Sequence, residues 1–118
     1  MHEYALCQTL VAAVLEAYGE VAPAPRSLRA ARVAVGAMHQ VIPEYFEEAY
    51  GLLVKETPLA GSRLELRAIP VTALCEACGW EGAVELPFIC CGGCGAHGVT
   101  VKSGKELYLE GLEVVADD

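Results

Sequence analysis

An α+β fold, two helices packed on a small three-stranded sheet with a cysteine-rich module inserted between two of its strands, is what the sequence predicts. Three observations lead there. Apolar residues recur at helical spacing in two segments, and they alternate with charged ones at strand spacing on both sides of residues 70–105. That interval holds five of the six cysteines, is rich in glycine and has few large aliphatic residues. It cannot build an ordinary core, so some other glue must hold it.

From Glu3 to Tyr18 the residues Leu6, Leu10, Ala13, Val14 and Ala17 recur at intervals of three and four, which is one face of a helix. Gly19 is placed to end it. Val21 to Ser27 carries Pro23 and Pro25 and reads as a loop. A strand follows from about Leu28 to Val35, with Ala31, Val33 and Val35 alternating imperfectly with Arg29, Arg32 and Ala34; Gly36 begins a turn. Pro43 suits the first position of a second helix, whose acids Glu44, Glu47 and Glu48 lie near its positive end and whose apolar stripe is Phe46, Ala49, Tyr50, Leu53 and Val54. Thr57-Pro58 closes it. Arg63 to Ile69 gives the cleanest strand signal, with Leu64, Leu66 and Ala68 on one face and Arg63, Glu65 and Arg67 on the other. A last strand runs from Glu106 to about Val114, with Leu107 and Leu109 inward and Gly111 as a candidate bulge. The predicted domains are residues 1–69 plus 106–118, an α+β unit, and residues 70–105, the inserted module.

The chain has 118 residues and a net charge of −8, with 16 acids against 8 bases. One compact core is the expectation at this length. Nucleic acid is excluded as a partner, because the lysines and arginines are scattered and form no stripe that could neutralise phosphates. The longest apolar run, Leu10 to Leu15, is far short of a membrane span, and no basic segment precedes it as in a secretory signal. A soluble, cytoplasmic protein is expected.

Cys75 and Cys78 form one C-x2-C pair and Cys91 and Cys94 another, each followed by glycine. Two intervening residues let one turn supply two thiolates, and glycine after the second ligand takes a positive φ easily. Four thiolates in two such knuckles favour a structural Zn(II) and make the module zinc-ribbon-like; disulfide pairing and iron or redox chemistry are the alternatives. A short hairpin containing Trp80, Val84, Leu86 and Phe88 would return the second knuckle to the first. Cys90 could replace Cys91 through a Cys90-x3-Cys94 register, and His97 could enter as a ligand. Cys7, on the first helix, reads as core or boundary packing.

The start, Met1-His2-Glu3, offers a second kind of site. Methionine before the bulky His2 is expected to be retained, so that a free amine, the imidazole and the intervening backbone nitrogen could reach one ion; such nitrogen-rich sets favour Ni(II) or Cu(II).

Met-His-Glu opening an amphipathic helix, Val35-Gly36 after a strand, the two C-x2-C-Gly knuckles and the Gly104-Lys105-Glu106-Leu107 segment together resemble the HypA family of hydrogenase maturation nickel metallochaperones. The likeness spans essentially the whole chain. It implies a non-enzymatic protein that binds Ni(II) at the N-terminal domain, holds zinc in the inserted one, and helps deliver nickel to the large subunit of NiFe hydrogenase. It further implies His2 as principal nickel side chain, completed by the N-terminal amine and the Glu3 region, with Cys75, Cys78, Cys91 and Cys94 on zinc and the GTPase HypB as partner. The expected oligomeric state is monomer or dimer. Where family members often carry acids, after Val-Gly and just before the second helix, this chain has Ala37 and Ile42, which leaves His39 as a candidate extra ligand. A zinc-ribbon adaptor that binds protein and no nickel would account equally well for the cysteines; a zinc enzyme would need an open ligand position and a nucleophile–base pair, and neither is evident.

Overall fold

The computed structural model describes residues 2–21 and 26–116. In chain order the elements are α1 (His2–Val21), β1 (Arg26–Gly36), a 3-10 turn (Ala37–His39), α2 (Pro43–Val54), β2 (Arg63–Ile69), β3 (Thr72–Cys75), β4 (Glu81–Ala83), β5 (Val99–Ser103) and β6 (Leu107–Ala116). The proline-bearing segment 22–25, the N-terminal amine and the His2 side chain lie outside the described residues. Among those residues no helix is long and apolar enough to cross a membrane.

Two compact units result. The first comprises the described residues of Met1–Ala34, Val41–Arg67 and Leu107–Asp118, and the second Val35–Gln40 with Ala68–Glu106. The first unit is the α+β fold expected: α1 packs on α2, and the sheet has the order β2-β1-β6. Its core combines Cys7, Leu10, Val11, Val14 and Tyr18 of α1, Phe46, Ala49, Tyr50 and Val54 of α2, Leu28, Ala30, Ala31, Val33 and Ala34 of β1, and Leu59 and Leu64. Each large apolar side chain fully buried there stabilises by about 1.5–3 kcal/mol.

Pro43 begins α2 as its fixed φ suits, β2 spans the residues expected, and β6 begins one residue later than expected. Other details differ. The buried face of α1 follows Glu3, Cys7, Leu10, Val14 and Tyr18, while Ala13 is exposed and Leu6 and Ala17 only half-buried. Val11, Ala12 and Leu15 place apolar groups all round this helix, so periodicity left its rotation open and contact with α2 fixes it. Nor does Gly19 end α1, which runs on to Val21. In β1 the alternation changes phase where Ala30 and Ala31 are both fully buried.

The second unit is an antiparallel sheet of order β4-β3-β5. Ala73 faces Gly82 on one side and Val101 on the other, with a register shift between Thr72 and Ala73. The segment Val35–Gln40 is clipped onto it: the Gly36 N–H donates to the Glu106 carbonyl (2.7 Å) and the Met38 N–H to the Gly104 carbonyl (2.8 Å). A side chain on Gly36 would place its Cβ 2.1 Å from the Gly104 carbonyl oxygen, so the backbones can meet only because that residue is glycine.

Candidate metal centre

The first knuckle is the turn from β3 to β4. The Gly79 N–H donates to the Cys75 carbonyl (2.8 Å), the Cys75 N–H donates to the Trp80 carbonyl (2.7 Å), and Gly79 has φ +80°. The second repeats it: the Gly95 N–H donates to the Cys91 carbonyl (3.1 Å), the Cys91 N–H to the Ala96 carbonyl (2.8 Å), and Gly95 has φ +78°. Identical spacing thus gives identical turns, with the positive φ at the glycines where the sequence placed it.

These turns bring the Sγ atoms of Cys75, Cys78, Cys91 and Cys94 within 4.8 Å of one another. Cys75 and Cys94 are 3.7 Å apart and Cys78 and Cys91 3.5 Å. A tetrahedron with about 2.3 Å metal–sulfur bonds has edges of about 3.8 Å, so the separations match a four-thiolate ion site. They are far from the ~2.05 Å of a disulfide, and all six cysteines are free. Among the described residues, Cys90 and His97 stand outside this cluster. A bound ion of zinc's kind would cross-link both turns and offset half of the four thiolates' charge, with no vacant position for water.

The sulfurs are electrostatically unequal. Burial works against a Cys91 thiolate, but the backbone N–H groups of Cys94 and Gly93, both 3.2 Å from its Sγ, together with the Cys78 and Cys94 thiols outweigh it and bring the group down to about 6. At Cys78 the Trp80 backbone N–H favours the thiolate, yet the adjoining Cys91 sulfur, desolvation, and the sulfurs of Cys75 and Cys94 push it up to about 12. The Cys91 thiolate forms readily, while Cys78 and Cys94 resist a further negative charge until a cation supplies the compensation.

Trp80 has a part that sequence reasoning missed. Only Glu81–Ala83 is a strand, and it pairs with β3, so no hairpin joins the knuckles; the chain returns through residues 84–90, where Phe88 is 75% exposed. Trp80 instead lies against the second knuckle: a Cβ on Gly92 would sit 2.6 Å from its ring, and one on Gly82 2.9 Å. The pairing of an aromatic after one knuckle with Gly92-Gly93 inside the other was the available signal.

Glu3 is buried at the junction of the helices, and its carboxylate accepts the Ile42 N–H (3.2 Å) just before α2. His39 belongs to the second unit, and its Nε2 is 3.0 Å from the Lys105 carbonyl. A carbonyl can only accept, so Nε2 carries the proton. Cys7 is fully buried, as its packing role requires.

An α+β unit together with paired thiolate knuckles on an antiparallel ribbon defines a small metal-binding protein with a four-sulfur centre. A family profile described as "Hydrogenase/urease nickel incorporation, metallochaperone, hypA" matches residues 1–114. Relatives named hydrogenase maturation factor HypA include one from Nostoc, 36% identical over 97% of this chain and 96% of its own, and one from Methanothermobacter thermautotrophicus, 32% identical over the whole of both. The fold is that of the nickel metallochaperone HypA from Helicobacter pylori in solution, at TM-score 0.67 and 20% identity over 98% of each chain. The chain therefore belongs to the HypA family of metallochaperones.

Proposed function

We infer that this protein is a cytoplasmic nickel metallochaperone and not an enzyme. It takes up Ni(II) at its N-terminus through His2, with the terminal amine and the Glu3 region, and carries structural Zn(II) on Cys75, Cys78, Cys91 and Cys94. It passes nickel to the hydrogenase large subunit together with the GTPase HypB. The observation that carries the reading is a match to the nickel-incorporation profile that begins at residue 1 and so takes in Met-His-Glu, in a chain whose thiolates are already gathered at a separate centre. Division of labour has a physical basis. A closed thiolate tetrahedron holds its ion for the life of the fold, whereas a few nitrogen ligands at a chain end can bind and surrender one.

Metal analysis of the untagged protein with one equivalent of Ni(II), beside His2→Ala, tests this. One zinc is expected in both and nickel only in the parent. Extending the N-terminus by a few residues turns the amine into an amide and should abolish nickel uptake. Zinc retained with no nickel bound by the unextended parent would leave the adaptor reading in its place.

A further inference from the structure

α2 buries one apolar stripe and leaves further apolar residues outside it. Phe46, Ala49, Tyr50 and Val54 are buried, whereas Tyr45 and Leu52, at i and i+7 with Glu48 between them at i+3, lie along a neighbouring exposed face that Ala49 borders. Tyr45 and Leu52 are 55% and 64% exposed, and Tyr4, at the start of α1, is 41% exposed. With Glu3 these residues line an open groove of about 310 Å³. Isolated exposed apolar residues are ordinary, but two tyrosines and a leucine converging on one concavity are not. Its apolar lining has an acidic setting: Glu48 lines it, Glu44 and Glu47 stand on the same helix, and neither α1 nor α2 contains a lysine or arginine.

We propose that this groove docks a protein segment presenting a bulky apolar side chain flanked by lysine or arginine. The apolar side chain buries Tyr4, Tyr45 and Leu52, and the cationic flank meets Glu48, with Glu44 and Glu47 on the same helix and Lys55, just past its end, the one nearby lysine in sequence. The same acids repel an acidic segment and disfavour a second copy of this chain, which would bring identical acids to the contact. The link to the proposed function is that Glu3 and Tyr4 directly follow His2, so a partner held here meets the segment assigned to nickel; docking itself needs no metal.

The test uses the full-length zinc-loaded protein without nickel, so that failure of nickel binding and failure of docking are separate results. The probe is a labelled amphipathic leucine–lysine peptide, with its leucine–glutamate counterpart as control, followed by fluorescence anisotropy and by amide chemical shifts. Shifts are expected at Tyr4, Tyr45, Glu48, Ala49 and Leu52. The double variant Tyr45→Ser/Leu52→Ser should weaken binding by about tenfold or more and Glu48→Lys by several-fold, while Tyr108→Ser, at an exposed tyrosine on β6, should leave it unchanged. Circular dichroism checks that the variants fold, and the shift map of the parent needs no variant. Shifts centred elsewhere, equal binding of the glutamate peptide, an equal loss in Tyr108→Ser, or a parent dimer that the double variant dissociates would each overturn the proposal.

Discussion

Two adjacent glycines should respond very unequally to the same added methyl group. A Cβ on Gly92 would lie 2.6 and 2.9 Å from two carbons of the Trp80 ring, whereas one on Gly93 would lie 3.5 Å from the Trp80 Cβ and 3.6 Å from the Cys91 Sγ. Carbon–carbon contacts are favourable at about 3.5–4.0 Å, so Gly92→Ala forces the indole to move by about 1 Å and Gly93→Ala makes an ordinary contact. The ring has little freedom to yield, since the same edge meets Gly82. Overpacking of this kind costs about 1–3 kcal/mol. Folding of the ribbon and metal binding are one equilibrium, so Gly92→Ala should weaken zinc by about 5- to 150-fold. Gly93→Ala keeps the N–H donated to the Cys91 sulfur and should stay within about twofold. Competition against a chromophoric chelator gives the affinities, and Trp80, the only tryptophan, reports loss of structure by its fluorescence. Parent-like affinity in Gly92→Ala, or equal losses in both, would refute the placement of the indole over the second knuckle.

Other outcomes follow from the remaining groups. Nickel needs neutral imidazole and free amine, whose ordinary pKa values are about 6.5 and 7.7–8, so affinity should fall steeply as pH drops from 7.5 to 5.5; a flat titration would exclude a nitrogen site at the N-terminus. Burial pushes the Cys7 thiol up to about 12 from 9.0, so the folded state keeps a proton that the unfolded chain loses. The stability this thiol contributes is therefore complete below about pH 9 and declines as pH rises toward 12, so in denaturant unfolding the gap between the parent and Cys7→Ala should be constant below that window and narrow within it. Glu3→Ala strands the Ile42 N–H and should destabilise by about 1.5–3 kcal/mol, while Glu3→Gln keeps an acceptor and most of that stability; equal melting of all three proteins would remove the tether between the helices.

What could be read from the chain was local. Pro43 at a helix start, the charged and apolar alternation of β2, and two copies of C-x2-C-Gly each specify their own backbone within a few residues, and each took that form. The four sulfurs came together because the second knuckle repeats the first, not because sequence revealed the path between them. Information lying in pairings was harder to extract. The face of α1 depends on α2, since apolar residues surround that helix. The run Leu86-Pro87-Phe88-Ile89 looks like hairpin core by composition, yet β4 is only three residues long and pairs back to β3, leaving Phe88 in solvent. The groove at Tyr4, Tyr45 and Leu52 was hidden for a related reason: helical periodicity identifies apolar faces but not which of two will find a partner within the fold.

The uneven placement of apolar residues explains why a metal belongs where the sulfurs gather. Phe46, Tyr50, Val14, Val54 and Leu59 are all in the first unit, while the second buries Val35, Val71, Ala73, Cys75 and Cys91, two of which belong to the four-sulfur cluster. A buried valine contributes about 1.5–3 kcal/mol, so its apolar side chains cannot offset about 1–2 kcal/mol of backbone entropy for each residue ordered. On the zinc assignment proposed above, the ion would supply about 10–16 kcal/mol by tying two turns that are distant in sequence. The ribbon's stability should then follow free zinc, changing by about 1.4 kcal/mol for each tenfold change above the dissociation constant, whereas the helical unit draws on a core that chelation leaves intact.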